Sequence, residues 1–359
     1  MERTQYMTRT SIEWVRNPGE GSQGFTVNPI RFRNKQTGKV GHYCEKLSPG
    51  CKNCYASRMQ KGPYLSGLEF TAENKSRGEL FFDENVLQQV LRRRKPSTFF
   101  WADCTDLFGD WVPDEWIDRC AATCALTPHH RHLWLTKRAK RMREYFGHSD
   151  YRPVMVGAAS KSLSALTFTL PSEDVFDARR IAWGQSWKIN AWPLPNLGLG
   201  VSAEDQERAD ERIPDLLQTP AAMRFVSEEP LLGPISHRWA KWEPLKIGFN
   251  GQFDGLRGIH WVICGGESGP GARPMHPDWP RGLRDQCQAA GVPFFFKQWG
   301  EWLPTGQKQH YSLATLIDPP DDRTPGQPMG DAYIYRVGKK SAGRLLDGRV
   351  WDEMPEMLR

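Results

Sequence analysis

Thr98-Phe-Phe-Trp-Ala-Asp103 is a short apolar run that does not alternate with polar residues, ends in a carboxylate and is followed by a segment of helical spacing. Five further stretches repeat the pattern: His132-Leu-Trp-Leu-Thr-Lys137, Leu197-Gly-Leu-Gly-Val-Ser202, Arg224-Phe-Val-Ser-Glu-Glu229, His260-Trp-Val-Ile-Cys-Gly265 and Val292-Pro-Phe-Phe-Phe-Lys297. A strand that faces water on one side alternates, whereas one covered on both faces does not, so these read as parallel strands beneath helices. Helical spacing lies between them, at Pro113 to Leu126, Arg138 to Phe146, Glu204 to Gln218 and Asp278 to Ala290, and an earlier helix is capped by Asp83, with Val86, Leu87, Val90 and Leu91 on its buried stripe. A strand at Thr26 to Arg33 brings the number to seven. The expectation is an α/β fold, a (β/α) barrel, complete or partial, whose working end lies after the strand C-termini. A doubly wound open sheet is the runner-up.

Residues 147–196 interrupt this rhythm and read as an insertion, with Val154 to Ala158 a candidate strand and Trp183, Trp187 and Trp192 set among basic residues. Such a mix can stack bases or simply cover the barrel. Residues 1–300 are expected to form the barrel with its insertion. Residues 301–359 read as a small C-terminal subdomain, with turns at Arg336 to Lys340 and Leu345 to Arg349.

Ahead of the regular part stands Cys44-Glu-Lys-Leu-Ser-Pro-Gly-Cys51-Lys-Asn-Cys54-Tyr55-Ala56. Three thiolates in so short a span can hold soft metal, and iron–sulfur clusters take cysteine thiolates as protein ligands. Ser48-Pro49-Gly50 supplies the turn that aims the first thiol at the other two. A closed structural zinc site wants four ligands, and three leave one coordination position open for chemistry. Zinc with a distant fourth ligand, His42 or Cys104, stays an alternative. Eight cysteines in 359 residues are too sparse for a disulfide framework.

No run of about 18 apolar residues is present, and the first residues lack an apolar signal region, so a cytoplasmic protein with no membrane association is expected. The net charge is +6 with a pI near 8.8, and residues 1 to 62 carry eleven Lys or Arg against four Glu. Basic runs at Arg31 to Lys39, Arg92 to Lys95 and Lys137 to Arg143 suit either a phosphate backbone or solvated helix faces.

The cysteine stretch resembles the end of the cluster motif in radical S-adenosylmethionine (SAM) enzymes, especially those similar to spore photoproduct lyase. Six residues separate Cys44 from Cys51, a longer first loop than the common radical SAM spacing, which Ser-Pro-Gly can bulge outward to accommodate. A closer resemblance, to the phage-associated three-Cys-motif family, rests on Asp106-Leu-Phe-Gly-Asp-Trp-Val-Pro113, Leu135-Thr-Lys-Arg138, Gly200-Val-Ser-Ala-Glu204, Glu229-Pro-Leu-Leu-Gly-Pro234, Gly265-Gly-Glu-Ser-Gly269 and Phe296-Lys-Gln-Trp-Gly-Glu301. It spans nearly the whole chain outside the insertion.

The resemblance implies a [4Fe–4S] cluster on Cys44, Cys51 and Cys54, SAM at its open iron, a 5′-deoxyadenosyl radical, and an electron donor as partner. Strand-end residues then become candidates for holding SAM: Asp103, Thr105 and Asp106 for its ammonium, Ser202 and Glu204 for its ribose, Gly265 and Gly266 for close approach to adenine, with Glu267 orienting one of these. Lys137, Glu228, Glu229, Lys297 and Gln298 are candidates for binding or protonating substrate, and a Lys297–Glu229 salt bridge is the plainer account of two of them. The expected substrate is a nucleic-acid base or nucleotide, to be modified or repaired. Alternatives are a radical SAM enzyme for a small molecule or peptide, and a non-enzymatic zinc-bearing nucleic-acid binder.

Overall fold

The computed structural model describes residues 7–15, 23–167, 176–177, 188–189, 191–238, 254–307 and 326–358. Met7–Arg9 (β1) pairs antiparallel with Gln23–Val27 (β2). Ile30–Asn34 (β3), Val40–Gly41 (β4) and Gly78–Phe82 (β5) form a small antiparallel sheet, and between β4 and β5 run the cysteine loop, Tyr55–Met59 (α1) and Ala72–Lys75 (α2). The regular part follows as Glu84–Arg92 (α3), Ser97–Trp101 (β6), Asp114–Leu126 (α4), Arg131–Thr136 (β7), Ala139–Gly147 (α5), Arg152–Thr167 (α6), the short pair Phe176–Asp177 (β8) and Lys188–Ile189 (β9), Leu197–Ser202 (β10), Gln206–Gln218 (α7), Met223–Glu228 (β11), Trp261–Gly265 (β12), Asp278–Ala290 (α8) and Phe294–Gln298 (β13). Beyond it lie Trp302–Pro304 (β14), Gly326–Met329 (β15), Ala332–Arg336 (β16), Lys339–Ala342 (α9), Leu345–Leu346 (β17) and Arg349–Val350 (β18).

All six apolar runs are strands of one eight-stranded sheet, ordered β1-β2-β6-β7-β10-β11-β12-β13, with every pair after β2 parallel. Each parallel strand lies beside the next in sequence. Right-handed crossovers repeated in one direction return every helix to the same face, whereas a doubly wound sheet reverses direction at a switch point. The sheet is therefore singly wound, and the doubly wound alternative is excluded. Among the described residues no pairing joins β13 back to β1. The free edge of β13 is instead covered by the chain at 351–353, where the Phe296 N–H donates to the Trp351 carbonyl at 2.8 Å.

Two expectations need correction. The strand foreseen from Thr26 to Arg33 is split at Asn28-Pro29, because proline has no N–H to continue a ladder; β2 stays in the main sheet and β3 turns into the small one. Val154 to Ala158 lies inside α6. A five-residue apolar run does not by itself distinguish strand from buried helix, and here Arg152 ties the helix start to Asp114 at 2.6 Å and to Asp118 at 3.1 Å.

The parity of the strands separates two cores. Phe99, Trp101, Trp134, Leu199, Val201, Val226, Val262, Phe294 and Phe296 face the helices. Phe100, Leu133, Met223, Phe225, Trp261, Ile263 and Phe295 face the other way, where Trp14, Val15, Met354 and Leu358 cover them. Gly200 makes room on this inner face, since a Cβ there would stand 2.5 Å from the Phe225 ring. Trp14 sits on this floor with its ring 4.7 Å from Phe100 and 6.0 Å from Trp261. Trp14→Ala is expected to cost about 3–5 kcal/mol, the usual range for truncating a buried tryptophan. Urea unfolding measures this, and a loss below about 1 kcal/mol would show that the floor contributes little.

Among the described residues no helix is long and apolar enough to cross a membrane. The expected C-terminal subdomain reaches the main sheet, with residues 351–353 bonded to β13 and Met354 and Leu358 packed on the inner face. Its Leu345 to Arg349 turn is the Asp347-Gly348 tip of the β17–β18 hairpin, where both residues have positive φ. Trp183 and Trp187 lie outside the described residues. Trp192 stacks on Phe146 at 5.4 Å, a covering role.

Candidate metal centre

The small antiparallel sheet delivers the cysteine loop to the C-terminal ends of the parallel strands. Pro49–Cys51 is a single 3-10 turn, closed by the Cys51 N–H on the Ser48 carbonyl at 2.9 Å, and Cys54 stands at the N-cap of α1. Cys44, Cys51 and Cys54 are half-buried free thiols. Cys104 is buried beside them, in a cluster with Ala56 and Phe70 against which Cys44 and Cys54 pack. The three loop sulfurs do not all fall within 4.8 Å of one another; among the described residues that spacing is met by His276, Asp278 and Asp331. His42 turns away, its Nδ1 on the Ile30 carbonyl at 3.3 Å, and burial together with Arg31 lowers its pKa to about 3.

Three carboxylates from three strand ends pin the loop. After β6, Asp103 accepts from the Tyr55 hydroxyl at 3.0 Å and from the Asn28 amide at 2.6 Å. After β10, Glu204 accepts from the Gly50 N–H at 3.0 Å through Oε1 and from Arg212 at 3.1 Å through Oε2. After β12, Glu267 accepts from Asn53 at 3.0 Å and from Arg273 through both oxygens, at 2.9 and 2.7 Å. Asn53 also donates to the Gly271 carbonyl, and Arg58 on α1 donates to the Pro270 carbonyl. The residues expected to hold a ligand thus hold the cysteine loop.

Other expected site residues are likewise occupied. Asp106 accepts from Thr136 at 2.7 Å, Arg138 at 3.0 Å, Phe108 N–H at 3.0 Å and Lys137 N–H at 3.2 Å, which locks the turn after β7. Thr105 donates to the Tyr43 carbonyl at 2.5 Å. The close approach that Gly266 permits is to the chain itself, because a Cβ there would lie 2.0 Å from the Trp299 carbonyl oxygen. Lys297 pairs with Glu229 at 2.6 Å, as the plainer reading has it, and Gln298 donates to the same oxygen at 3.4 Å. Glu228 faces the helix layer, fully buried against His237, with burial raising its pKa. By strand parity Lys137, Ser202 and Gly265 reach the inner face at the mouth, as does Ser227, which sequence reasoning did not single out.

Charge in the mouth favours anions near the loop. Burial acts to raise the Cys51 pKa, but Lys137 and hydrogen bonds at Leu47 and Ser48 outweigh it and leave the thiol lowered. The same lysine, with Arg212, Ser48 and Gly50, overcomes the desolvation of Glu204 and keeps it ionised. Cys44 and Cys104 are pushed up, chiefly by burial.

Arg212 is another residue sequence reasoning passed over, although the signal was present. It sits on the apolar stripe of α7 between Ala209, Ile213 and Leu216, and a cation on a buried stripe demands a buried anion. The basic runs do not share one face. Arg92 to Lys95 lies before β6, at the opposite end of the strands from the cysteines, and Arg93 is bound to Ser97 and Gln23. Arg138, Arg141 and Arg143 are engaged by Asp106, Asp114 and Asp215. A cavity of ≈ 370 Å³ also opens at that opposite end, between Pro96, His130, Asn196 and Met357.

Fold and site together define an α/β protein with a three-cysteine loop bracketed over the ends of singly wound parallel strands. The chain belongs to the family described as protein of unknown function DUF5131, which it matches over residues 30–355. No curated protein and no solved structure matches it.

Proposed function

We propose that this chain is an iron–sulfur enzyme of the radical SAM type, its singly wound strands forming a partial (β/α) barrel and Cys44, Cys51 and Cys54 holding a [4Fe–4S] cluster. The observation that carries the reading is the bracketing of one three-thiol loop by Asp103, Glu204 and Glu267 at the working end of the sheet. Three thiolates in one short loop are the donor type that iron–sulfur clusters take. A cluster held by three thiolates leaves one iron for SAM and, on reduction, supplies the cleavage that yields a 5′-deoxyadenosyl radical.

The chain's own contribution is placement. Lys137 makes no ion pair among the described residues, acts electrostatically on both Cys51 and Glu204, and would offset the charge of a bound carboxylate. Ser202 and Ser227 offer hydroxyls on the inner face. The floor of Trp14, Phe225 and Trp261 closes the cup below and keeps water from entering by that route.

The test is anaerobic loading with iron and sulfide, followed by reduction in the presence of SAM. The expected result is a brown protein that releases 5′-deoxyadenosine. A colourless protein with a full complement of zinc, or a brown one that never cleaves SAM, would overturn the reading. A second reading, a four-thiol zinc site, is favoured by one observation, the packing of Cys104 against Cys44 and Cys54.

A further inference from the structure

The described residues expose seven large hydrophobic side chains, and four of them come from one short segment: Leu47 at 48%, Tyr55 at 47%, Met59 at 49% and Tyr64 at 88%. This is the segment that carries the thiols. Tyr55 and Met59 are one turn apart on α1 and so share a face. Around them residues 39–64 hold five basic side chains (Lys39, Lys46, Lys52, Arg58, Lys61) and one acidic one, Glu45, a net of +4. Glu45 is already bound by Lys75 at 2.9 Å, and Glu69 answers Lys61 at 3.1 Å. Lys39 reaches the Pro63 carbonyl at 2.8 Å, which places its charge beside Tyr64.

Exposed methionine and aromatic residues ringed by separated cations are the composition of a protein-docking surface. Nucleic-acid interfaces are more polar and more densely basic; of the denser basic runs, Arg138, Arg141 and Arg143 are bound to the chain's own acids and Arg92 to Lys95 lies at the far end of the strands.

We propose that the exposed face of α1 and its flanking loops, Leu47, Tyr55, Met59 and Tyr64 among Lys39, Lys46 and Lys52, is where an acidic one-electron-donor protein docks to reduce the centre on the three thiols. The inference rests on the iron–sulfur reading and names the partner of that site. The donor loses one electron and the iron–sulfur group gains it, with no bond made or broken. Because the thiols belong to the same loop, the docked donor stands at the shortest route to them, and opposite charge on its surface speeds the encounter.

The probe is a fully reduced flavodoxin of acidic surface, mixed in stopped flow with the anaerobically iron-loaded protein, against dithionite as a small reductant needing no docking surface. Lys46→Glu/Lys52→Glu, and separately Met59→Asp, are expected to slow reduction by flavodoxin at least tenfold while iron content and reduction by dithionite stay unchanged. Raising salt should slow the unaltered protein toward the charge-reversed rate. Equal flavodoxin rates in all three proteins overturn the docking surface and leave the iron–sulfur reading standing. An unaltered protein that binds no iron overturns both. If the charge reversal instead abolishes binding of a single-stranded oligonucleotide and leaves flavodoxin reduction intact, the surface is a nucleic-acid interface and the proposal fails.

Discussion

Cys51→Ala is expected to take up neither iron nor sulfide during anaerobic reconstitution, and Cys44→Ala and Cys54→Ala to behave alike. In the proposed cluster each would supply one of three thiolates, and a two-thiolate remnant would leave two coordination positions to solvent in a half-buried loop. Iron and sulfide are measured on protein that remains folded by circular dichroism, because the loop is held independently by Tyr55, Gly50 and Asn53. Cys104→Ala separates the two metal readings. A cluster on three thiols survives its loss, whereas a four-thiol zinc site loses its closure and its metal. Full iron in Cys51→Ala, or metal loss in Cys104→Ala, would remove the three-thiol assignment.

Arg212→Leu is expected to destabilise the fold by about 3–5 kcal/mol, the cost of breaking a buried ion pair and stranding its partner. Both side chains are 1% exposed and 3.1 Å apart, so water cannot replace the guanidinium. The effect should reach the loop, since Glu204 also holds Gly50. Glu204→Gln/Arg212→Met, which removes both charges, should recover a substantial part of the loss in urea unfolding; equal losses in single and double variants would place the cost elsewhere. The pH dependence has a definite sign. Glu204 has its pKa held below 4.5 in the folded protein, so its contribution is present above that value and is lost as pH falls through the folded pKa.

The sheet was legible because strands buried on both faces leave an unbroken apolar signal, and all six runs carried it. Its open edge was not, since the cover comes from residues 351–353, a stretch without periodicity. The pattern also left the winding undecided, because apolar runs say which segments are strands and nothing about which lie side by side. At the site, three clustered cysteines announced themselves by spacing. The carboxylates after the strands were visible as well, but an acid at a strand end reads equally as a ligand-binding group or as a bracket, and only Gly50, Asn53 and Tyr55 in three dimensions distinguish them. Val154 to Ala158 was too short for its period to be read.

The brackets also fix the order in which the molecule can be assembled. Tyr55 meets Asp103 across 48 residues, Gly50 meets Glu204 across 154 and Asn53 meets Glu267 across 214. Contacts so distant in sequence close late, after the chain entropy of the intervening loops has been overcome. In a zinc finger the metal nucleates its own fold; here the thiols are expected to reach their places only once the sheet behind them has formed. Until then the three cysteines travel with an unassembled loop, open to oxidation, and the proposed metal centre would be loaded into a folded protein.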